Sequence, residues 1–382
     1  DAMIYDPATT KPSGSGFVRD PFPGNAVPAN RMDPVALKIM EVALPLPNLP
    51  GATNNYVNSG ATKQPSDMWN TRADHNFSEA NRFTARYLYR RQFNHNMVAY
   101  PGPGGTGSKG GQLRKDTFQH SVSADNTHVL RPNLINNAHF GYFRNYSPAW
   151  SPGTGEDWAS KVGLKGVGPD KFPQMKFNPL TGIGGGAYAV QTPGNTFQFS
   201  DSLLTVHGRH TTKVGFEYRK LLYDTWDAGA SSGNFNFSTL PTANIQNRKL
   251  GIAFASYLLG IPNNSTVLLQ YKDGSKFRWS AYTAFLQDDY RVNNRLTVNL
   301  GLRWELETAR REVNDRQSVF NLGSLQLDYA GKDGNPRALH NTNPRNFAPR
   351  AGFAYTLTGD GRTVVRGAYG LFYLAINTTQ GR

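Results

Sequence analysis

Leu296-Thr297-Val298-Asn299-Leu300-Gly301-Leu302-Arg303-Trp304-Glu305-Leu306 alternates without interruption: every even position is apolar and every odd position is polar, charged or glycine. Successive strand side chains point to opposite faces, so a period of two gives one oily face and one wet face. The run is far longer than an ordinary strand of about 5–6 residues. It matches the roughly 9–11 residues that a tilted strand uses to cross a bilayer. A turn, Arg291-Val292-Asn293-Asn294-Arg295, precedes it, and Ser280 to Tyr290 forms the other arm of a hairpin.

The same unit recurs. Asp74 to Phe77 and Arg82 to Arg90 flank a turn at Ser78 to Asn81, with Phe83, Ala85, Tyr87 and Tyr89 on one face and Arg86 and Arg90 on the other. Thr117 to Val129 and Leu134 to Arg144 flank Arg131-Pro132-Asn133, with Leu134, Ala138, Phe140 and Tyr142 on the apolar side. After His207-Gly208-Arg209-His210, residues Thr212, Val214, Phe216 and Tyr218 alternate with Lys213, Gly215, Glu217 and Arg219. Arg350 to Thr356 turns at Thr358 to Gly361 and returns with Val365, Tyr369, Leu371 and Tyr373 opposed to Arg366, Ala368 and Gly370. The intervals between units vary, which excludes a solenoid or propeller of fixed period.

Turns inside the hairpins are short, whereas Phe93 to Leu113, Ser147 to Gly194 and Glu307 to Phe347 are long connections rich in Gly, Pro, Asn and Ser. Long structureless loops argue against a soluble sandwich. Outer-membrane barrels have short periplasmic turns and long extracellular loops. The expected fold is therefore all-β: an antiparallel transmembrane β-barrel, with roughly 10–14 strands in this chain. Extra strands are expected near Asn234 to Phe237 and Thr266 to Tyr271. Tyr218, Trp304 and Tyr373 are placed to join an interfacial aromatic girdle. Residues 1–66 read as an extracellular loop region with a short helix, and 67–382 as barrel hairpins with long loops. Asp33 as N-cap, Pro34 at the first helical position and Pro45 as a stop delimit that helix. Leu250 to Leu259, closed by Gly260 and Pro262, reads as a helix or strand packed within a loop.

The 382-residue chain has no Cys, so disulfides and Cys-ligated metals are excluded. Its net charge of +14 raises a nucleic-acid reading. Phosphate-binding proteins gather Lys and Arg into one stripe; here they are scattered over the polar positions of the strands, so no nucleic-acid partner is expected. No apolar run is long enough to cross a membrane as a helix. Gly102 to Lys109 resembles a phosphate loop, but Ser108 interrupts the required Gly-Lys pair. His207 and His210 flank a tight turn without a third ligand, and Asp288 and Asp289, adjacent in a strand, point to opposite faces. No nucleophile elbow or zinc-protease motif occurs. Neither enzymatic chemistry nor a metal or cofactor is expected.

Gln287 to Glu305 resembles the signature of TonB-dependent outer-membrane receptors of the Oar-like type, and Asn346 to Tyr355 with Thr363 to Tyr373 resembles the next hairpin of that family. Arg19 to Asn25, Pro28 to Arg31 and Asp33 to Ala36 are similar to a loop of the same proteins, so the resemblance covers almost the whole chain. It implies an energised transporter: a plug inside a roughly 22-stranded barrel, an N-terminal box that pairs with the TonB complex, and a bound nutrient admitted when the plug moves. No signal peptide, TonB box or plug-like segment precedes Asp1, and the end at Thr378 to Arg382 lacks an aromatic-terminated strand. The expectation is thus an internal barrel piece, with TonB contacted through the part it lacks. The candidate lumen-facing residues are Arg86, Arg90, Lys213, Glu217, Arg219, Arg303, Glu305 and Arg366. The expected partners are the lipid bilayer of the outer membrane and a transported ligand whose identity the sequence does not disclose. Loop aromatics from Trp150 to Trp158 are candidates for stacking on planar ligands. The competing reading is a surface-exposed adhesin or binding protein without transport.

Overall fold

A computed structural model describes residues 3–51, 53–105, 114–184, 189–246, 250–268, 273–358 and 361–374. Its frame is one antiparallel meander of long strands: β1 (Ser66–Ser78), β2 (Asn81–His95), β3 (Arg114–Arg131), β4 (Leu134–Tyr146), β5 (Pro193–His207), β6 (His210–Asp227), β7 (Ser275–Arg291), β8 (Leu296–Glu307), β9 (Asn346–Thr356) and β10 (Val364–Gly370). Each strand pairs with its neighbours in sequence, which is the simplest outcome when alternating runs are joined by tight turns. These are the five hairpins that the alternation predicts. Among the described residues no pairing joins β1 to β10, so both are edge strands.

The turns follow from local chemistry. Ser78 pairs with Asn81 and His207 with His210, leaving two-residue connections. Gly208 takes φ 59° there, the left-handed value that such hairpin turns require and glycine adopts without strain. At the β7–β8 turn the Asn293 side chain accepts from the backbone N–H groups of Arg295 and Leu296 at 2.8 and 3.0 Å. Because every hairpin turn lies at one end of the sheet, every long connection emerges at the other.

Those connections are folded. Residues 3–51, 53–65, 147–184, 228–246 and 250–268 assemble a cap with its own apolar core. Helix α1 (Pro34–Ala43) starts at Asp33, whose carboxylate accepts from Val35 N and Ala36 N at 2.9 Å each. It buries Ala36, Ile39 and Ala43 against Phe172, Met175, Phe177, Ile183, Phe237 and Tyr257. Helix α2 (Trp158–Val162) contributes Val162, and α3 (Ala253–Leu258), the helical outcome for the 250–259 run, contributes Ala253 and Tyr257. A four-stranded sheet completes the cap: Asn234–Asn236 pairs in parallel with Gln174–Phe177 and antiparallel with Asn264–Thr266. The extra strands expected near Asn234 and Thr266 therefore belong to the cap and not to the barrel wall. They are too short to cross a membrane, and residues 269–272 lie outside the described residues. In the β8–β9 connection the buried Glu312 carboxylate accepts from the backbone N–H groups of Lys276, Asn314 and Arg316 at 3.0, 2.7 and 3.0 Å, which folds the start of that loop onto β7.

Most fully buried side chains, among them Ile39, Phe172, Ile183 and Tyr257, lie in this cap. On the long strands Val214, Phe216, Leu286, Leu300 and Leu302 remain exposed. That distribution is inverted for a water-soluble protein. It is expected where lipid covers the strands and water surrounds the loops.

Candidate functional site

The faces of the wall follow from register, since directly paired strand residues share a side. One unbroken row runs Arg86, Ser123, Gly141, Gln198, Arg219, Ala281, Glu307 across seven strands. A second link, Gly301 to Arg350 to Gly370, carries the same face to β10. All eight sequence-predicted residues lie on this polar face. Arg90 stands four residues from Arg86 on β2, Lys213 and Glu217 flank Gly215 on β6, Arg303 and Glu305 precede Glu307 on β8, and Arg366 stands four from Gly370 on β10.

The structure joins some of these residues and separates others. Gln198 Nε2 donates to Glu217 Oε2 at 3.0 Å, and Arg219 Nε lies 3.0 Å from Glu217 Oε1. Two strands away Arg303 pairs with Glu305 and reaches Thr283 Oγ1 at 3.3 Å. Register puts Ser200, Glu217, Thr283, Glu305 and Asn346 in a single row, so the two ion pairs form one polar belt across β5 to β9. Lys213 places its ammonium 5.9 Å from the centre of the Phe285 ring. Arg90 bonds Gln92 Oε1 at 2.9 Å, while Arg366 lines a separate recess of about 940 Å³ with Arg350, Asn299 and Gln287.

One polar cluster escaped the sequence reading. On β1 Arg72 grips Asp74 through two bonds of 2.7 and 2.8 Å, and Thr84 and Arg82 of β2 donate to the same carboxylate at 2.7 and 3.1 Å. The i, i+2 spacing of Arg72 and Asp74 was the available signal, obscured because the other face of β1 carries Thr71, Ala73 and His75.

The opposite face is apolar and bordered by aromatics at two levels. Toward the loops stand Tyr142 and Phe197, whose rings are 4.9 Å apart, Tyr218 and Tyr282 at 5.1 Å, and Trp304 paired with Phe347. Tyr373 joins them by donating to the Phe347 carbonyl at 3.3 Å. Toward the turns stand Phe77, Phe83, Tyr290 and Tyr355. Tyr282 and Tyr290 are eight residues apart on β7, which is about 26 Å along the strand and about 20 Å across a bilayer at the usual barrel tilt. That spacing approaches the apolar band of about 25 Å in outer-membrane barrels. The excess length of strands such as β3 and β6, with 18 residues each, carries them past the loop-side level into the cap.

The remaining motifs take structural roles. His210 Nδ1 sits 2.6 Å from Asp288 Oδ2 and its ring stacks on Tyr290 at 4.3 Å. Asp289 turns to the polar face, where Asn299 donates to it at 2.7 Å, as the opposed directions of neighbouring strand residues require. Trp158 packs on Phe172 at 5.5 Å with the Lys161 ammonium 4.4 Å from its ring, so this loop aromatic is committed to the cap. Of the phosphate-loop candidate, residues 106–109 lie outside the described residues. In the cap, burial drives the Lys171 ammonium down to about 8 against the opposing pull of Asp227 and Asp170. Burial acts to raise the Asp6 carboxyl, and hydrogen bonds from Arg31 and the Ala8 N–H outweigh it, leaving Asp6 below the usual carboxylate range.

A family model described as an outer membrane beta barrel domain matches residues 1–382. Among solved structures the fold is similar to that of the ferric-catecholate import receptor Fiu of Escherichia coli K12, at 13% identity over 81% of this chain and 47% of that one, with a TM-score of 0.44. It is also similar to the outer membrane transporter YddB of Escherichia coli, at 11% identity over 83% and 33% of the two chains and a TM-score of 0.46. The copper transporter OprC matches at 10% identity over 82% and 37%, with a TM-score of 0.41. The chain spans less than half the length of each of these structures. No curated protein matches the sequence. With its whole length covered by the family model, the chain belongs to the outer membrane beta barrel domain family and resides in the outer membrane.

Proposed function

We propose that this chain forms wall and outer vestibule of an energised transporter, a TonB-dependent receptor of the Oar-like type that its motifs resemble, taking up a large or scarce nutrient. The observation that carries the reading is the polar face, continuous across the strands behind an aromatic-bordered apolar face. A surface adhesin would turn its apolar strand faces toward one another and would have no use for a charged interior.

In this reading the polar face is the barrel lumen. Arg86, Arg90, Lys213, Glu217, Arg219, Arg303, Glu305 and Arg366 contact a plug or line the path of the solute. The hairpin turns face the periplasm and the cap faces outward, following the usual asymmetry of such barrels. Residues 1–66 join the cap, and the wall is drawn from 67–382. Energy reaches the protein through the TonB complex.

Profiling the solutes that cells remove from their medium tests this, comparing wild type, a deletion strain and wild type with a protonophore. A solute too large for general porins should persist in both the deletion strain and the protonophore-treated cells. Identical depletion in all three would overturn the proposal.

A further inference from the structure

The five hairpin turns share a feature that neither the wall nor the cap explains. Each carries arginine at or beside its tip: Arg82, Arg131, Arg209, Arg291 with Arg295, and Arg362. All six are exposed. Against them the turns hold Glu79 and Asp360. Asp288 and Asp289, three and two residues inside the turn end of β7, are occupied by His210 and Thr212 and by Asn299. The five turns come from one end of a continuous sheet, so each hairpin advances this basic rim by about 10 Å. That interval slightly exceeds the Debye length of about 8 Å at physiological salt, so the mutual repulsion of these charges is largely screened there and becomes strong at low salt unless an anionic surface meets them.

The rim also sits at a defined depth. Phe77, Phe83, Tyr290 and Tyr355 form the turn-side aromatic border of the apolar face, and the arginines follow immediately beyond it. That is the level of phospholipid headgroups. Arg82 and Arg291 leave their strands on the polar side, opposite Thr127 and Thr297, and Asp74 holds Arg82 there at 3.1 Å. Arg131, opposite Leu134, leaves on the apolar side, and Arg209, Arg295 and Arg362 stand in the turns between strands. Arg209 donates to the Val292 carbonyl at 2.6 Å, which ties one turn to the next. Arg131 and Arg295 make no ion pair with the described carboxylates, and their guanidiniums keep donors in the fork geometry that suits phosphate.

We propose that this rim binds the phosphodiesters of anionic phospholipids in the leaflet that faces the turns, selecting them over zwitterionic lipid. The selection is independent of what the barrel transports.

The test uses the intact protein extracted from outer membranes in mild detergent. The ratio of phosphatidylglycerol and cardiolipin to phosphatidylethanolamine that stays with it is compared with the ratio in the bulk membrane. Anionic lipid should be enriched on the wild type. In R131Q/R295Q the enrichment should fall about fivefold per arginine at low salt, whereas R131K/R295K should keep most of it. Arg345→Gln, an exposed arginine at the loop end, should leave it unchanged. A heat-modifiable band on unboiled gels shows that each variant is folded. No enrichment on the wild type, equal enrichment on folded R131Q/R295Q, or an acidic protein crosslinked to these turns in place of lipid would each overturn the proposal.

Discussion

The ring of Phe285 fills the space that Gly215 leaves on the polar face. A Cβ at Gly215 would stand 2.5 Å from Phe285 Cζ and 2.9 Å from the Asp201 carbonyl oxygen. The two residues are direct partners across β6 and β7, so a missing side chain on one strand seats an aromatic from the next. Gly215→Val should cost about 1–3 kcal/mol through overpacking. It should lower the temperature at which the folded gel band disappears. Adding Phe285→Ala removes the ring clash but not the carbonyl contact, so recovery should be partial. Full recovery, or no loss in Gly215→Val, would refute the packing described.

Glu217 and Arg219 give a second check. Both are partly exposed, at 24% and 36% of their side-chain surface, so water weakens their attraction. A double-mutant cycle with Glu217→Ala and Arg219→Ala should return a coupling of at most about 1 kcal/mol. Solute passage should respond more than stability, because the belt from Gln198 to Glu305 would lose its negative centre. A coupling of several kcal/mol would place the pair in a dry site instead.

Tyr257 ties α3 to α1 by donating to the Ala36 carbonyl at 2.8 Å inside the cap core. Tyr257→Phe keeps the ring and removes one hydrogen bond to a carbonyl that the ladder of α1 still satisfies, a loss of about 1 kcal/mol. Tyr257→Ala removes the packing as well and should cost about 3–5 kcal/mol. Limited proteolysis of intact cells should then release the segment that holds α1, with the barrel band unchanged. Loss of the barrel together with the cap would show that the two do not fold as separable units.

Lys171 makes the cap sensitive to alkali in an unusual direction. Below about pH 8 the ammonium is charged whether folded or unfolded, so its burial penalty is fully present. Between about 8 and the ordinary 10.5 the folded side chain has released its proton and the unfolded one has not. Unfolding then takes up a proton, and cap stability rises with pH by up to about 1.4 kcal/mol per unit. Protease resistance of the cap should therefore improve from pH 8 to 9.5 in the wild type relative to Lys171→Met. Parallel curves for the two proteins would contradict the assignment.

The wall was legible because lipid imposes a strict rule: Leu296 to Leu306 must alternate when one side meets hydrocarbon and the other meets water. The eight charged candidates came from the same rule, and register places all of them on one face. β1 was read only from Asp74, because Trp69, Thr71, Ala73 and His75 give its outer face too little apolar contrast with Arg72 and Asp74. The cap was hardest to see. Its core joins Ile39, Phe172, Ile183 and Tyr257 from segments far apart in the chain, and contacts of that range leave no periodic trace. For the same reason the short runs at Asn234 to Phe237 and Thr266 to Tyr271 looked like wall strands, although Asn234–Asn236 pairs with Gln174–Phe177 on one side and with Asn264–Thr266 on the other, inside the cap.

Accessibility of the two faces tests the account most directly, and the absence of cysteine makes it practicable. Single substitutions Phe216→Cys and Leu300→Cys probe the aromatic-bordered face, and Lys213→Cys and Asn299→Cys probe the polar face, each in intact outer membranes. The first pair should react only with a thiol reagent confined to the bilayer and the second pair only with a water-soluble one. Equal labelling of both faces by the water-soluble reagent, or the reverse pattern, would show that this sheet is not a membrane wall with a polar lumen.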